Sequence, residues 1–293
     1  MGKKSRKSKE DIIAKRLAKA QAGAFVQRPF EGLPFEADLV CLRELIPAAT
    51  ATARLKEEFG GTEVTFATLL PAAWQAFKRA DGAVFAGMQV PVSSPDPSRD
   101  VAAGILAVQD AEPGTVIEAN SNPGEGPRLQ EILDIEAGFE VRVQETFDYW
   151  LPEDADLQDA DLKSALGQAN EGISPTEKLV SAPSAYWTEM TGRQYVRWAH
   201  TEPEDRVMDA LARLHAAGSN TLGGAGKYLG CFRASGIVIP VWELPEGTQP
   251  DDVEGPLGDF ATAFDTALTR TEPLTADERR AKAGVVSRQL TVR

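Results

Sequence analysis

The stretch Lys227-Tyr-Leu-Gly-Cys-Phe-Arg-Ala-Ser-Gly-Ile-Val-Ile-Pro-Val-Trp242 is two runs of β-forming residues about Ser235-Gly236. A Ser-Gly pair between such runs predicts a turn joining two strands. Beyond it a helix is expected from near Pro256, with Leu257, Phe260, Phe264 and Leu268 at helical spacing. Upstream, Ala185–Thr188 and Gln194–Ala199 read as strands about Thr191-Gly192. Thr201-Glu-Pro-Glu204 has the spacing of a capping box. The helix it opens would carry Val207, Met208, Leu211 and Leu214 on one side and stop at Gly218. Thr275-Ala-Asp-Glu278 is a second such box, before a short cationic helix with Arg279, Arg280 and Lys282. Strands grouped with amphipathic helices that cover them point to the α+β class.

The first half holds similar ingredients. Residues 37–46 read as a short helix ended by Pro47. Ala51–Lys56 and Val64–Leu70 read as strands around Gly60-Gly61, and Ala83–Val92 as a third. Pro97 suits a first helical position with Asp96 as its cap, and Val101, Ile105 and Val108 form one stripe. Phe139–Trp150 reads as another strand. Residues 152–172 hold Glu153, Asp154, Asp156, Asp159, Asp161 and Glu171 against Lys163 alone, which predicts a solvated acidic helix. The organisation expected is a basic arm (1–24), a first α+β half (25–151), an acidic linker region (152–182) and a second α+β half (183–293). Val90-Pro-Val92 and Ile239-Pro-Val241 each precede a loop, then Asp-Val with apolar residues four and seven further on. That parallel raises an internal duplication as an expectation, with a cleft between two similar halves as a ligand site.

Charge is unevenly placed. The first twenty residues hold Lys3, Lys4, Arg6, Lys7, Lys9, Lys15, Arg16 and Lys19 against Glu10 and Asp11, a net +6 in a chain of net −13, so the remainder carries −19. Clustered Lys and Arg can bind a polyanion by counterion release, whereas the acidic body repels one. The arm therefore reads as a solvated tail, as a docking element for a polyanion such as RNA, or as a membrane-surface contact. It lacks the apolar core of a signal peptide, and Arg6 stands where a myristoylation signal wants Ser or Thr. No apolar run approaches the roughly 20 residues of a membrane helix. With two distant cysteines, Cys41 and Cys231, the chain reads as cytoplasmic and without membrane partners.

Most common chemistries lack their residues here. Hydrophobic residues at 42% and charged ones at 26% indicate a globular chain. Two histidines and two distant cysteines offer no zinc spacing, so no metal and no cofactor is expected. Leu222-Gly-Gly-Ala-Gly-Lys-Tyr228 fails as a phosphate loop, with Thr221 in place of the first Gly and Tyr228 in place of Ser or Thr. It reads as a link between helix and strand. His215 falls among Leu211, Leu214 and Met208 and reads as a core-edge histidine with one hydrogen-bond partner. Cys41 and Cys231 read as buried, inert thiols.

Aromatics cluster in the second half as Tyr186-Trp187, Tyr195, Trp198 and Trp242, interleaved with Arg193, Arg197 and Arg233. They read as a tryptophan-rich core or as a stacking platform with cationic edges. Strand alternation puts Tyr195, Arg197 and Ala199 on one face, Val196 and Trp198 on the other. Trp198 is then core, and Tyr195 and Arg197 are surface candidates. A ligand cleft would draw on Tyr195, Arg197, Arg233 and His215; catalytic residues are not identifiable.

Arg28-Pro-Phe-Glu-Gly-Leu-Pro34, Leu42-Arg-Glu-Leu-Ile-Pro-Ala-Ala-Thr50, Leu211-Ala-Arg-Leu-His-Ala-Ala-Gly218, Ile239-Pro-Val-Trp-Glu-Leu-Pro245 and Glu278-Arg-Arg-Ala resemble a family of actinobacterial proteins of unknown function. The resemblance runs from about Ala24 to Arg293. It implies kinship without chemistry, since these are packing and turn motifs. Members of that family often carry an N-terminal SEC-C zinc motif. Here Met1-Gly-Lys-Lys-Ser-Arg-Lys-Ser-Lys9 stands in its place with no cysteine before Cys41, so zinc binding is not carried over. The function expected is a non-catalytic cytosolic binding or adaptor protein whose arm docks on RNA or the ribosome, with a protein partner for the body. The alternatives are an enzyme or small-ligand binder using the cleft, and a scaffold that adds Val285–Val292 to a neighbour as an edge strand.

Overall fold

In the computed structural model the described residues, 24–122, 124–152, 160–223 and 226–287, form seven helices and two sheets of seven and five strands. The α+β class is as the sequence predicts. The chain divides into two compact units. Among the described residues, one takes in 24–33 with Thr52–Phe139, and the other Pro34–Ala51 with the described residues from Glu140 to Ser287.

Helix α1 (Glu36–Glu44) ends where Leu45 and Pro47 follow, as expected. Strands β1 (Ala49–Leu55) and β2 (Glu63–Ala67) are neighbours, and the Leu55 N–H donates to the Thr62 carbonyl at 2.9 Å. β3 (Ala76–Lys78) and β4 (Val84–Gly87) follow. The sheet order is β5-β3-β4-β2-β1-β6, with β5 at Val116–Ile117 and β6 at Leu133–Asp134; β7 (Glu140–Val143) also pairs with β1. β4 runs parallel to β2 and antiparallel to β3.

Helix α2 (Pro97–Val108) starts on Pro97 and buries Val101, Ile105 and Val108. It lies close on β3 because residue 104 is glycine: a Cβ there would stand 2.9 Å from the Gln75 side chain and 3.3 Å from Ala76 Cβ. Asp96 precedes the helix but its side chain does not cap it. The carboxylate instead lies within ion-pair range of Arg128 Nε at 3.0 Å and Arg99 Nη2 at 3.9 Å. Helix α3 (Leu129–Ile132) carries that arginine's flank.

The strand expected over 83–92 is only β4, and β3 goes unforeseen because three residues carry too little alternation to read. The strand expected over 139–150 stops at Val143. Phe147 then stacks on Trp150 at 4.6 Å across a 3-10 turn, so these aromatics cluster locally instead of alternating.

Helix α4 (Ala160–Asn170) lies within the acidic stretch; residues 153–159 fall outside the described chain. The second sheet is antiparallel, in the order β11-β12-β10-β9-β8, from β8 (Thr176–Leu179), β9 (Ala185–Met190), β10 (Arg193–Trp198), β11 (Lys227–Ala234) and β12 (Ile237–Glu243). Its two expected turns are present. Thr191 and Gly192 take φ of 52° and 75°, and Ser235 and Gly236 take 46° and 81°. Positive φ at both central residues matches the strand twist, and glycine in second place halves its cost.

Helix α5 (Glu204–Ala216) buries Val207, Met208, Leu211 and Leu214 as predicted and gives way to Gly218 at φ 71°. It begins after Pro203 with no side-chain cap from Thr201; Glu204 turns to Arg233 on β11 instead. Helix α6 (Pro250–Thr269) starts six residues before Pro256, which sits inside it. Gln249 and Asp252 supply the cap, with the Gln249 N–H donating to Asp252 Oδ2 at 3.0 Å, and buried Val253 extends the apolar stripe backward. Helix α7 (Ala276–Ser287) opens with the expected capping box: Thr275 N–H donates to Glu278 Oε2 at 2.7 Å, and Glu278 N–H to Thr275 Oγ1 at 3.2 Å. An edge strand from Val285 is therefore overturned over 285–287, because Val285 is buried on the helix; residues 288–293 lie outside the described chain.

Helices α5, α6 and α7 cover one face of this sheet. Trp187, Trp198, Trp242, Phe260 and Phe264 pack there with Met208 and Leu211. The aromatic cluster is thus largely core. The two sheets differ in strand number, and only the first contains a parallel pair, so these topologies do not establish the expected duplication. Among the described residues no helix is long and apolar enough to cross a membrane.

Candidate functional site

The register of the second sheet fixes which side chains can meet. Lys178 on β8 stands opposite Tyr186 on β9, and Tyr186 opposite Arg197 on β10. Residues paired across strands point to the same side, so these three form one row. The helix-packed face takes Trp187, Val196 and Trp198, and the row lies on the other. Helix α1 reaches that second face. Asp38 Oδ1 accepts the Ser184 hydroxyl at 2.8 Å, and the Cys41 thiol lies 4.0 Å from the Ser184 carbonyl. Ser184 holds φ of 52°, a left-handed conformation that costs a non-glycine residue energy and is held by the surrounding contacts.

Arg197 is 9% exposed, so the expectation of a surface residue is overturned; Tyr195 beside it is half-buried. Alternation sorts the residues by face correctly but carries no information on whether a distant segment covers that face. Burial draws the Arg197 guanidinium down to about 10 against the opposing influence of Cys41. Burial pushes the Cys41 thiol well up, with Asp38 adding to the rise and Arg197 and Lys178 opposing it. Burial, then Cys41 and Asp38, likewise raises Tyr186. The burial expected for Cys41 and Cys231 is found, and it raises the Cys231 thiol too.

The four residues of the expected cleft are not gathered in one place. Tyr195 stands opposite Glu243, whereas Arg233 stands opposite Val238, five residues along β12 and roughly 17 Å away at the usual strand rise. Arg233 is engaged with Glu204: its Nε donates at 2.8 Å and its Nη2 makes a second, shorter contact. That hydrogen bond, with the paired charge adding to it, lowers Glu204 and raises Arg233. His215 is half-buried at the end of α5 with its Nδ1 2.6 Å from Asn220 Nδ2, the single partner its position predicts. The arm residues Lys3, Lys4, Arg6, Lys7, Lys9, Lys15, Arg16 and Lys19 lie outside the described chain.

A pocket of about 350 Å³ opens in the second unit, lined by Ser181, Ser184, Trp198, His200, Glu202 and Asp265 among others. His200 is 5% exposed, its ring 4.1 Å from that of Trp198 and 4.6 Å from Phe264. Its Nδ1 lies 3.6 Å from Glu202 Oε2, and its buried Nε2 has no hydrogen-bond partner among the described residues. Sequence reasoning passed over His200. The one available signal was its place directly after an aromatic strand in a chain with two histidines. Among the described residues no group of three or more His, Cys, Asp or Glu is placed to hold a metal ion.

Neither a curated protein nor a solved structure matches this chain. A family model does, over residues 29–293, and by that match the chain belongs to DUF5926, a family of unknown function.

Proposed function

We propose that the protein is a cytosolic binding or adaptor protein whose basic N-terminal arm docks on a polyanion, RNA or the ribosome. The observation that carries the reading is the segregation of charge: a net +6 within twenty residues, joined to a remainder of −19. Such an arm gains free energy by releasing counterions from phosphates, while the acidic body opposes any wider, unspecific contact. Members of the actinobacterial family it resembles often carry a SEC-C zinc motif in this place; docking here would proceed by charge alone. The body is free to present a partner surface. The test is co-sedimentation of the full chain and of a chain lacking residues 1–23 with ribosomes and with RNA across a salt series. Full-length protein associates at low salt and is released steeply as salt rises, and the shortened chain does not associate. No association at low salt, or equal association of both chains, refutes the reading.

A second reading, a small-ligand binder or enzyme, is favoured by one observation: the pocket beside His200, with its buried and unsatisfied Nε2. Buried polar atoms are normally paired, so an orphan beside a pocket is a place for a ligand donor or acceptor. Nucleotide, sugar and acyl-compound panels scored by thermal shift test it, with His200→Ala as the control. Silence across all three panels refutes it.

A further inference from the structure

We propose that Lys178 and Arg197 form a binding site for the oxyanion group of a small molecule, a carboxylate or a phosphate, on the α1-covered face of the second sheet. The register puts the two cations in one row on either side of Tyr186. Both oppose the rise of the Cys41 thiol of α1, which lies over this face. Arg197 is nine-tenths buried, its Nε is fully buried without a hydrogen-bond partner, and no carboxylate among the described residues forms an ion pair with it. Lys178, half-buried, likewise has no ion pair among them. Asp38 is an acid that α1 brings to this face. It accepts a hydrogen bond from Ser184, and among the described residues it forms no ion pair with Arg197.

A guanidinium taken out of water without a counter-charge is costly, and proteins normally pair it or neutralise the group. Arginine stays protonated near neutral pH even when burial lowers it to about 10. The remaining remedy is an external anion. The planar fork of Arg197 matches two oxygens of a carboxylate or phosphate, and the Lys178 ammonium adds a point charge. The site is separate from the arm.

The experiment is thermal unfolding of the full chain in inorganic phosphate and in succinate, each titrated against chloride at equal ionic strength. It is repeated with Arg197→Met and Lys178→Met; the arm is present in all three proteins and cancels. Wild type gains a saturable rise, about 5 °C when the probe reaches a hundred times its Kd. Arg197→Met gains none and, in chloride, melts no lower than wild type, because it removes an unpaired buried charge. Lys178→Met, a change at a half-buried position, keeps the fold and loses most of the rise, so it decides the matter if Arg197→Met fails to fold. A response to phosphate alone assigns a phosphate group, and a response to succinate assigns a carboxylate. Wild type gaining no more from either probe than from chloride overturns the proposal, and so does Lys178→Met gaining as much as wild type.

Discussion

Replacing Phe264 by alanine measures how the helices are held on the second sheet. Phe264 is 1% exposed, and its ring lies 5.2 Å from Trp198, 4.6 Å from His200 and 6.4 Å from Phe260. Removing a buried ring loses its transfer free energy and leaves a cavity that rigid neighbours fill only in part, about 3–5 kcal/mol in all. Leu268 lies one turn further along the same stripe but is only partly buried against this core. Leu268→Ala therefore costs about 1 kcal/mol, near the middle of the range for single substitutions. Urea unfolding followed by tryptophan fluorescence reads both, because Trp187, Trp198 and Trp242 sit in the same cluster. At a urea slope of about 1–3 kcal/mol per molar, Phe264→Ala lowers the midpoint by more than about 1 M. A loss below about 1 kcal/mol, or an equal loss from Leu268→Ala, would show that Phe264 is not wedged between Trp198 and His200.

Three further outcomes are expected. Thr275→Ala removes the side-chain half of the α7 capping box and costs about 1 kcal/mol, read as a drop of roughly 2–4 °C in Tm. Arg233→Ala returns the Glu204 carboxyl from its lowered value toward the ordinary range, observable by NMR titration. Since the folded value lies below the unfolded one of about 4.3, the stability it contributes is present above that pH and fades as pH falls through the folded value. The pair is exposed, so the loss at neutral pH stays under about 1 kcal/mol, and a larger one would contradict its surface placement. Cys41 and Cys231 are both buried with raised thiols, so a thiol-specific reagent labels neither in the native protein and both after denaturation. Rapid native labelling of Cys41 would mean that α1 leaves the sheet.

Local features were readable from the chain. The Thr191-Gly192 and Ser235-Gly236 turns depend on the φ of two adjacent residues, and the Thr275–Glu278 box on a spacing of three. The stripes Val101, Ile105, Val108 and Val207, Met208, Leu211, Leu214 follow from the pitch of a helix. The misreadings came where a distant group competed. Asp96 and Glu204 both have sequence positions suited to capping, yet Arg128 and Arg233 draw their carboxylates away. In both cases the arginine lies 29 or more positions away, so nothing within four residues announces it. Pro256 looked like a helix start because proline favours that place, but the Gln249–Asp252 cap and the buried Val253 carry the helix through it.

By itself the sequence determined the fold class, the hairpins, most helix faces, the burial of both thiols and the division of charge between arm and body. Each of these follows from composition or from residues within a few positions of one another. Only the tertiary structure decided that Arg197 is buried, that Lys178, Tyr186 and Arg197 share a row, and that His200 stands beside a pocket. The reason is chain separation: α1 covers residues more than 140 positions away, and strand register is a relation between segments. A pattern along one strand states which side chains share a face, and only the fold states what lies against it.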